Sequence, residues 1–290
     1  MNKKVVMAIV ITCVIIVCVC LGIILVNSND NQSEVKQGQT QEDVIVENNV
    51  ETNEDRESQA VKGESIVLES KVGSEVLAKL VIPNIYSKLM YNELDSNGIS
   101  NDFKIMYTFS LMTNYQKYSH YLREAEDYTG SYITNDDLQE VASTIFEDAS
   151  NIQHKAIFEE NTYDEATEDY VIIARGFAGS DIDYIVEVPY DMIEFSDRIE
   201  VNTYRLYLQR KYDMESEEAL PIDEVYYDKN MTTLATSISD EKMLDEIDGQ
   251  KDLLKYQIEE GKISKESLQT STWTLVKKGG DYLISDYSVK

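Results

Sequence analysis

Thr272-Trp-Thr-Leu-Val276 and Tyr282-Leu-Ile-Ser285, joined by Lys277-Lys-Gly-Gly-Asp281, close the chain as two apolar runs around a Gly-Gly pair. A pair of glycines between two short apolar runs signals a β-hairpin, because the tight turn needs positive φ at its centre. Upstream, Asp240 to Glu260 carries helical spacing, with Leu244, Ile247, Leu254 and Ile258 expected inward and Ser239 as the cap. Before that come further strand candidates. Val225-Tyr-Tyr227 starts one, and Ile199 to Leu208 is a long run containing Tyr and Val. Tyr170-Val-Ile-Ile-Ala174 and Asp183-Tyr-Ile-Val-Glu-Val188 flank a turn at Gly176 to Gly179.

The first half reads differently. Between Asp102 and Tyr121, the residues Phe103, Tyr107, Leu111, Tyr115 and Tyr118 recur at three and four, which predicts a helix. A second helix is predicted after Thr134, whose hydroxyl is placed to cap it beside Asp137. Its apolar face runs through Leu138, Val141, Ala142, Ile145, Phe146 and Ala149. Val76–Leu80 and the segment after Pro83 fit either a strand or a helix. Helices first and antiparallel strands later predict an α+β domain.

That domain is expected to occupy residues 65–290, with a subdivision near Gly130 left open. Residues 5–26 form an uncharged apolar run, and a helix of that length spans the ~30 Å hydrocarbon layer of a bilayer. Lys3 and Lys4 lie on one flank while Asp30 and Glu34 lie on the other. This asymmetry places residues 1–4 in the cytoplasm and the rest outside. The expected partner of residues 5–26 is therefore the lipid bilayer. A signal peptide cleaved after Ser28 is the alternative, although its apolar core is usually only about 7–15 residues long. A lipoprotein signal does not fit, because the apolar run continues past Cys13, Cys18 and Cys20. Residues 27–64 are polar, acidic and free of aromatics, which predicts a disordered tether.

The three cysteines all fall in the anchor, so the rest of the chain has no disulfide, thiol nucleophile or thiolate ligand. Only His120 and His154 supply imidazoles. His120 and Glu124 are spaced to share a helix face, but two ligands do not make a metal site. Ser33 and Lys36 match an S-x-x-K pattern inside the tether, where no oxyanion hole is preorganised. Glu93, Asp95, Asn97 and Gly98 follow the spacing of a calcium loop, but Lys104 stands where a bidentate carboxylate belongs. Asp181 and Asp183 read as a solvated strand end. Asn31 and Asn230 head glycosylation patterns that matter only in a eukaryotic secretory route. No catalytic, cofactor-binding or metal-ligating residue is assigned.

The formal net charge of −28 excludes nucleic acid as a partner and disfavours docking on anionic lipid. Twenty tyrosines suit either half-wetted sheets or a surface that stacks against sugars or peptides. Lys79-Leu-Val-Ile-Pro83 resembles the opening strand of sortases, but those enzymes need a cysteine that the exported part lacks. The closing hairpin, with Trp273, its basic turn and Tyr282-Leu-Ile, resembles the last strands of NTF2-like cone sheets. That resemblance implies a fold and no activity.

The sequence is best read as an anchored, extracytoplasmic domain with a non-enzymatic binding, scaffolding or sensing role at a bacterial cell envelope. An envelope protein or polymer is the expected partner. The rivals are a carboxylate-based envelope or glycan hydrolase and a calcium-dependent adhesion module. The anchor is expected to be retained, so full-length protein should sediment with membranes and resist carbonate extraction. Recovery of a soluble species beginning near Asn29 would instead establish cleavage.

Overall fold

Fourteen consecutive residues, Arg198–Lys211, form the longest strand, and its sequence already contains the plan of the domain. Buried and half-buried positions alternate at its start and merge into one buried run from Arg205 to Leu208. A strand covered on one face alternates, and a strand covered on both loses its alternation. In the computed structural model, which describes residues 63–82, 84–94, 98–124, 130–157, 163–173, 182–212, 220–244 and 249–290, this strand is the hub of a sheet with helical layers on both faces. The anchor expected at residues 5–26 and nearly all of the tether at 27–64 lie outside the described residues. Among the described residues no helix is long and apolar enough to cross a membrane.

In chain order the strands are β1 (Glu64–Ser65), β2 (Arg123–Glu124), β3 (Gly130–Thr134), β4 (Tyr163–Asp164), β5 (Asp169–Ile173) and β6 (Ile182–Glu194). They continue as β7 (Arg198–Lys211), β8 (Ile222–Tyr226), β9 (Leu234–Ile238), β10 (Gln269–Lys278) and β11 (Asp281–Val289). The helices are α1 (Lys71–Leu77), α2 (Asn84–Asn92), α3 (Asn101–Asn114), α4 (Asn135–Ser143) and α5 (Gly249–Glu259). The large sheet runs β1-β6-β7-β10-β11, and β8 joins the far half of β7 and carries β9. A smaller sheet runs β2-β3-β5-β4. Every strand pairing within both sheets is antiparallel. The α+β class is therefore observed: helices packed with antiparallel sheets.

One face of the large sheet presents Ile185, Val201, Trp273, Leu275 and Tyr287 to side chains of α2, α3 and α4. The other face presents Val186, Val188, Leu206, Leu208 and Val225 to Leu253, Leu254 and Ile258 of α5. Both covers follow from helical spacing. Leu138, Val141 and Ala142 are buried on α4 as their period requires, and Thr134 caps that helix through a 3.2 Å bond from the Asp137 N–H. Ser100 caps α3 in the same way, accepting from Phe103 N–H at 3.0 Å. Full burial of a side chain such as Leu254 contributes roughly 1.5–3 kcal/mol.

The closing hairpin forms as expected. Gly279 and Gly280 have φ of 63° and 93°, the double left-handed geometry of a type I′ turn, so β-carbons at both would be strained. The ambiguous segment at Val76 resolves as α1, with Ser70 Oγ capping at Gly73 N–H. Lys79 lies in the connection to α2, where it reaches the Thr144 carbonyl and Asp281, so no sortase-like strand forms there.

Several expectations need correction. The helix predicted to Tyr121 stops at Asn114 and gives way to a 3₁₀ turn over Gln116–Tyr121. Thr113 and Asn114 bond back to the carbonyls of Phe109 and Ser110, and this local competition ends α helices. Leu244 is 48% exposed because residues Glu241–Leu244 form a tighter 3₁₀ turn that rotates Met243 inward instead. Ser239 does not cap this turn, whose Lys242 N–H bonds the Asp240 carboxylate at 2.9 Å. Ile247 lies outside the described residues. The two apolar runs around Gly176 to Gly179 enter different sheets: β5 pairs β3 and β4 in the small sheet, while β6 pairs β7 in the large one. Gly130 lies within β3, where a β-carbon would meet the Ile172 carbonyl oxygen at 2.4 Å. Residues 58–290 form one compact unit.

A buried ion pair ties α5 to the sheet. Arg210 on β7 grips Asp223 on β8 at 2.9 and 3.2 Å, and the Tyr184 hydroxyl donates to the same carboxylate at 2.6 Å. Arg210 also donates to the Met243 carbonyl at the start of the α5 segment. Asp223 is fully buried. Arg210→Met should therefore lower stability by about 3–5 kcal/mol, because it leaves a carboxylate buried without its cation. The double change with Asp223→Leu should recover most of that loss in urea unfolding.

Candidate functional site

Among the described residues the middle of the outer edge of β6 pairs with no other strand, and the site grows from it. At one end β1 continues the sheet, with Glu64 and Ser65 in register with Glu194 and Ile193 and the Ile66 N–H bonded to the Met192 carbonyl at 2.8 Å. The chain then turns away at Val67, whose carbonyl accepts from Ser70 N–H at 3.0 Å. At the other end the Ser87 hydroxyl of α2 caps the edge by accepting from Ile185 N–H at 2.8 Å. Between these stops lies Val186 to Asp191.

Alternation along a strand sends every second residue's N–H and C=O to the same side. The outward N–H of Ile185 therefore puts the N–H and C=O of Glu187, and the C=O of Pro189, on the open edge. Proline at this position removes a donor that no neighbouring strand uses, which is where sheets tolerate it. A bulge follows between Pro189 and Asp191. It turns Tyr190 outward, 42% exposed, onto Tyr204 with ring centres 4.2 Å apart and planes at 25°.

Two connected hollows border this edge. One has a volume of about 570 Å³, with Leu77, Leu80 and Val81 on its α1 side and Glu187, Thr203 and Trp273 at its sheet side. The other has a volume of about 880 Å³, with Val67, Tyr190, Tyr204, Ile258 and Ile263 on its walls. Leu68, Glu69, Val188, Pro189 and Lys255 belong to both. Lys255 of α5 meets Glu69 across the cleft at 3.3 Å. A hydrogen bond from its own backbone, and then one donated by Lys255, hold the Glu69 carboxyl below its ordinary value.

The deepest polar group is Glu187, only 6% exposed in a strand that is otherwise apolar from Tyr184 to Val188. Its Oε1 accepts from Ser271 Oγ at 2.5 Å and from Tyr287 OH at 2.6 Å, and its Oε2 accepts from Trp273 Nε1 at 2.5 Å. Ser271 is itself 2.6 Å from Thr203 Oγ1. Arg205 stands in register opposite Glu187 and is 1% exposed, with its guanidinium 4.9 Å from the centre of the Tyr91 ring. Burial, reinforced by the Glu187 charge, pushes the hydroxyls of Tyr91 and Tyr287 far above their usual range. Both therefore act as fixed donors or packing groups, not as bases. Glu187 accepts from three neutral donors, an arrangement that organises the wall and leaves its oxygens little further acceptor capacity.

The residues singled out from the sequence do not converge here. His120 lies on the 3₁₀ turn and stacks on Tyr121 at 4.1 Å, while Glu124 is on β2, so the shared helix face does not form. His154 is half-buried with Nδ1 3.1 Å from the Tyr170 hydroxyl, and burial lowers its pKa despite the raising charges of Asp136 and Glu168. Lys104 of the calcium-like loop pairs with Asp148 at 3.8 Å and bonds its carbonyl. Gly98 takes a φ of 79° in the turn before α3 and abuts Asp286, whereas Asp95 and Asn97 lie outside the described residues. Asp181 is also outside them. Burial raises the Asp183 carboxyl, but hydrogen bonds from Lys88 and Gln209 outweigh it and lower the pKa. Among the described residues no three potential ligands gather around a metal position.

Sequence reasoning missed Glu187, Arg205, Arg210 and Asp223. The available signal was the placement of charges inside runs of Tyr, Ile, Leu and Val, where a buried charge must have a partner. Compared with protein-family models, with curated proteins and with solved structures, the chain matches none. The wall carries its own test. Glu187→Gln exchanges one accepting oxygen for a donating NH2 facing donors, so thermal and urea unfolding should register a loss of about 1.5–3 kcal/mol. An unchanged midpoint would mean that the three donors are satisfied elsewhere.

Proposed function

We propose that this chain is an anchored binding module of a bacterial cell envelope, holding its target in the cleft along the free edge of β6. The observation that carries the proposal is the composition of that cleft. Leu77, Leu80, Val81, Tyr190 and Tyr204 give it apolar and aromatic walls, carboxylates and lysines ring its outer part, and its deepest polar group, Glu187, is already engaged with its neighbours. Ligand sites are concave and combine apolar walls with convergent polar groups, and this cleft offers both. In the proposal, residues 5–26 cross the bilayer with residues 1–4 in the cytoplasm. Residues 27–64 tether the domain outside, and its partner is a protein or polymer of the envelope.

The NTF2-like reading belongs to the same proposal. Long antiparallel strands under the α2–α4 layer, with Glu187 facing into that side, support a cone-type sheet around the cleft. The hydrolase reading needs one carboxyl with a raised pKa opposite a second that stays ionised. Among the described residues, every carboxyl whose pKa is displaced is displaced downward: Glu69, Asp183, Glu224, Asp228, Glu266 and Asp281. This supports binding over hydrolysis.

Full-length protein in detergent micelles, mixed with isolated bacterial envelopes, should co-sediment with them without releasing soluble fragments. Tyr190→Ala should weaken that co-sedimentation while leaving the unfolding midpoint within about 0.5 kcal/mol, as an exposed position does. Steady release of reducing sugars or wall peptides, lost on changing Glu69 or Glu187, would replace this reading with the hydrolase.

A further inference from the structure

The cleft also constrains what can occupy it. We infer that the β6 edge takes an extended, basic-and-apolar peptide as an added β-strand, with its backbone on Glu187 and Pro189 and its basic side chains over the outer hollow. This inference rests on the binding-module reading and names the chemistry of the target.

Three independent features point to a peptide in strand form. The first is backbone. Val186 to Asp191, about 20 Å at ~3.3 Å per residue, is bounded by the Ser87 cap and by β1; Val186 to Val188 form the floor of the cleft and Pro189 to Asp191 reach its mouth. Such a strand would continue the line that the chain leaves at Val67. A donor from the peptide would meet the Glu187 or Pro189 carbonyl, and a peptide carbonyl would meet the Glu187 N–H. Strand addition draws affinity from these main-chain bonds and specificity from alternate side chains.

The second feature is that the cleft is two-sided. Alternate residues of an added strand would point into the smaller hollow, against Leu77, Leu80 and Val81, or into the larger one beside Tyr190. The inner side is apolar at Leu77, Leu80 and Val81, is backed by the engaged Glu187, and carries Lys251 and Asp252 where α5 borders it. The outer side offers an aromatic pair with water-exposed ring surface. A sequence that alternates apolar and cationic residues fits both walls.

The third feature is charge. The larger hollow carries four carboxylates, Glu69, Asp191, Glu259 and Glu266, against two lysines, Lys255 and Lys265. Lys255 is committed to Glu69. The potential is therefore negative where the outward side chains would lie, on a chain of net charge −28 that repels anionic polymers generally. A cation over the face of Tyr190 adds attraction of its own. A neutral glycan could stack on the same tyrosines but would make no use of the strand edge or the carboxylates.

The probe is a fluorescent, acetylated and amidated octapeptide of alternating lysine and valine, titrated into full-length protein in detergent micelles and read by anisotropy. Saturable binding is expected, weakening at least tenfold between 50 and about 500 mM salt as charges are screened. The exposed double variant Glu259→Lys/Glu266→Lys should weaken it by a similar factor without altering the unfolding midpoint. Methylating alternate backbone nitrogens of the peptide should abolish binding, and hydrogen exchange at the Glu187 amide should slow only with the unmethylated peptide. Equal binding of the methylated peptide, or of a glutamate–valine octapeptide, would overturn the inference. So would a neutral N-acetylglucosamine hexamer binding at Tyr190 where the peptide does not. If both probes fail while co-sedimentation with envelopes persists, this inference alone falls. If co-sedimentation is absent as well, the reading beneath it falls too.

Discussion

The pairing of β6 with β7, buried on both faces, is the constraint to which the rest of the domain answers. Two strands of this length shield each other's backbone, but their side chains alternate between two faces that both need cover. The helices α2 to α4 supply one cover and α5 the other. β10 and β8 divide the second edge of β7 between them, β10 along Arg198 to Arg205 and β8 along Tyr207 to Lys211. Only the outer edge of β6 is left, and β1 pairs with no more than its last residues. The cleft is what remains when this strand pair has been covered nearly everywhere else.

Each covered face carries buried ionisable groups that its surroundings must satisfy. On the helical side Glu187 is met by Ser271, Tyr287 and Trp273. On the α5 side Asp223 is met by Arg210 and Tyr184. A buried charge stripped of its partners is far more costly than a buried pair is favourable, so these groups specify the packing more than they strengthen it. The Arg210 contact with the Met243 carbonyl fastens the turn ahead of α5 to the sheet, and the Glu187 wall lies at the sheet side of the smaller hollow. The residues that shape the cleft and those that hold the fold are thus largely the same.

Much of this organisation is legible in local sequence. Thr134 with Asp137, and the period through Leu138, Val141 and Ala142, announce α4 because capping and amphipathicity are local properties. The Gly279-Gly280 pair announces the closing hairpin because only glycine accepts two successive left-handed residues without strain. The end of α3 was hidden, since whether Thr113 and Asn114 bond outward or back to the helix depends on balances of a fraction of a kcal/mol. The partner of β5 was hidden for a different reason. Two neighbouring apolar runs suggest a hairpin, yet a strand's sequence records that it is buried and not which strand lies beside it.

By itself the sequence determined what local pattern and composition can carry: the α+β class, the main helical faces, the closing hairpin, and an acidic chain whose cysteines all precede residue 21. The tertiary structure alone decided which strands are neighbours, which edge stays open, and that Glu187 and Arg205, eighteen positions apart, face each other across β6 and β7. The division has a physical cause. Turns, caps and periodicity are set by residues within a few positions of one another. A binding cleft is set by pairings between distant segments, where register and burial are chosen by the packing of the whole domain.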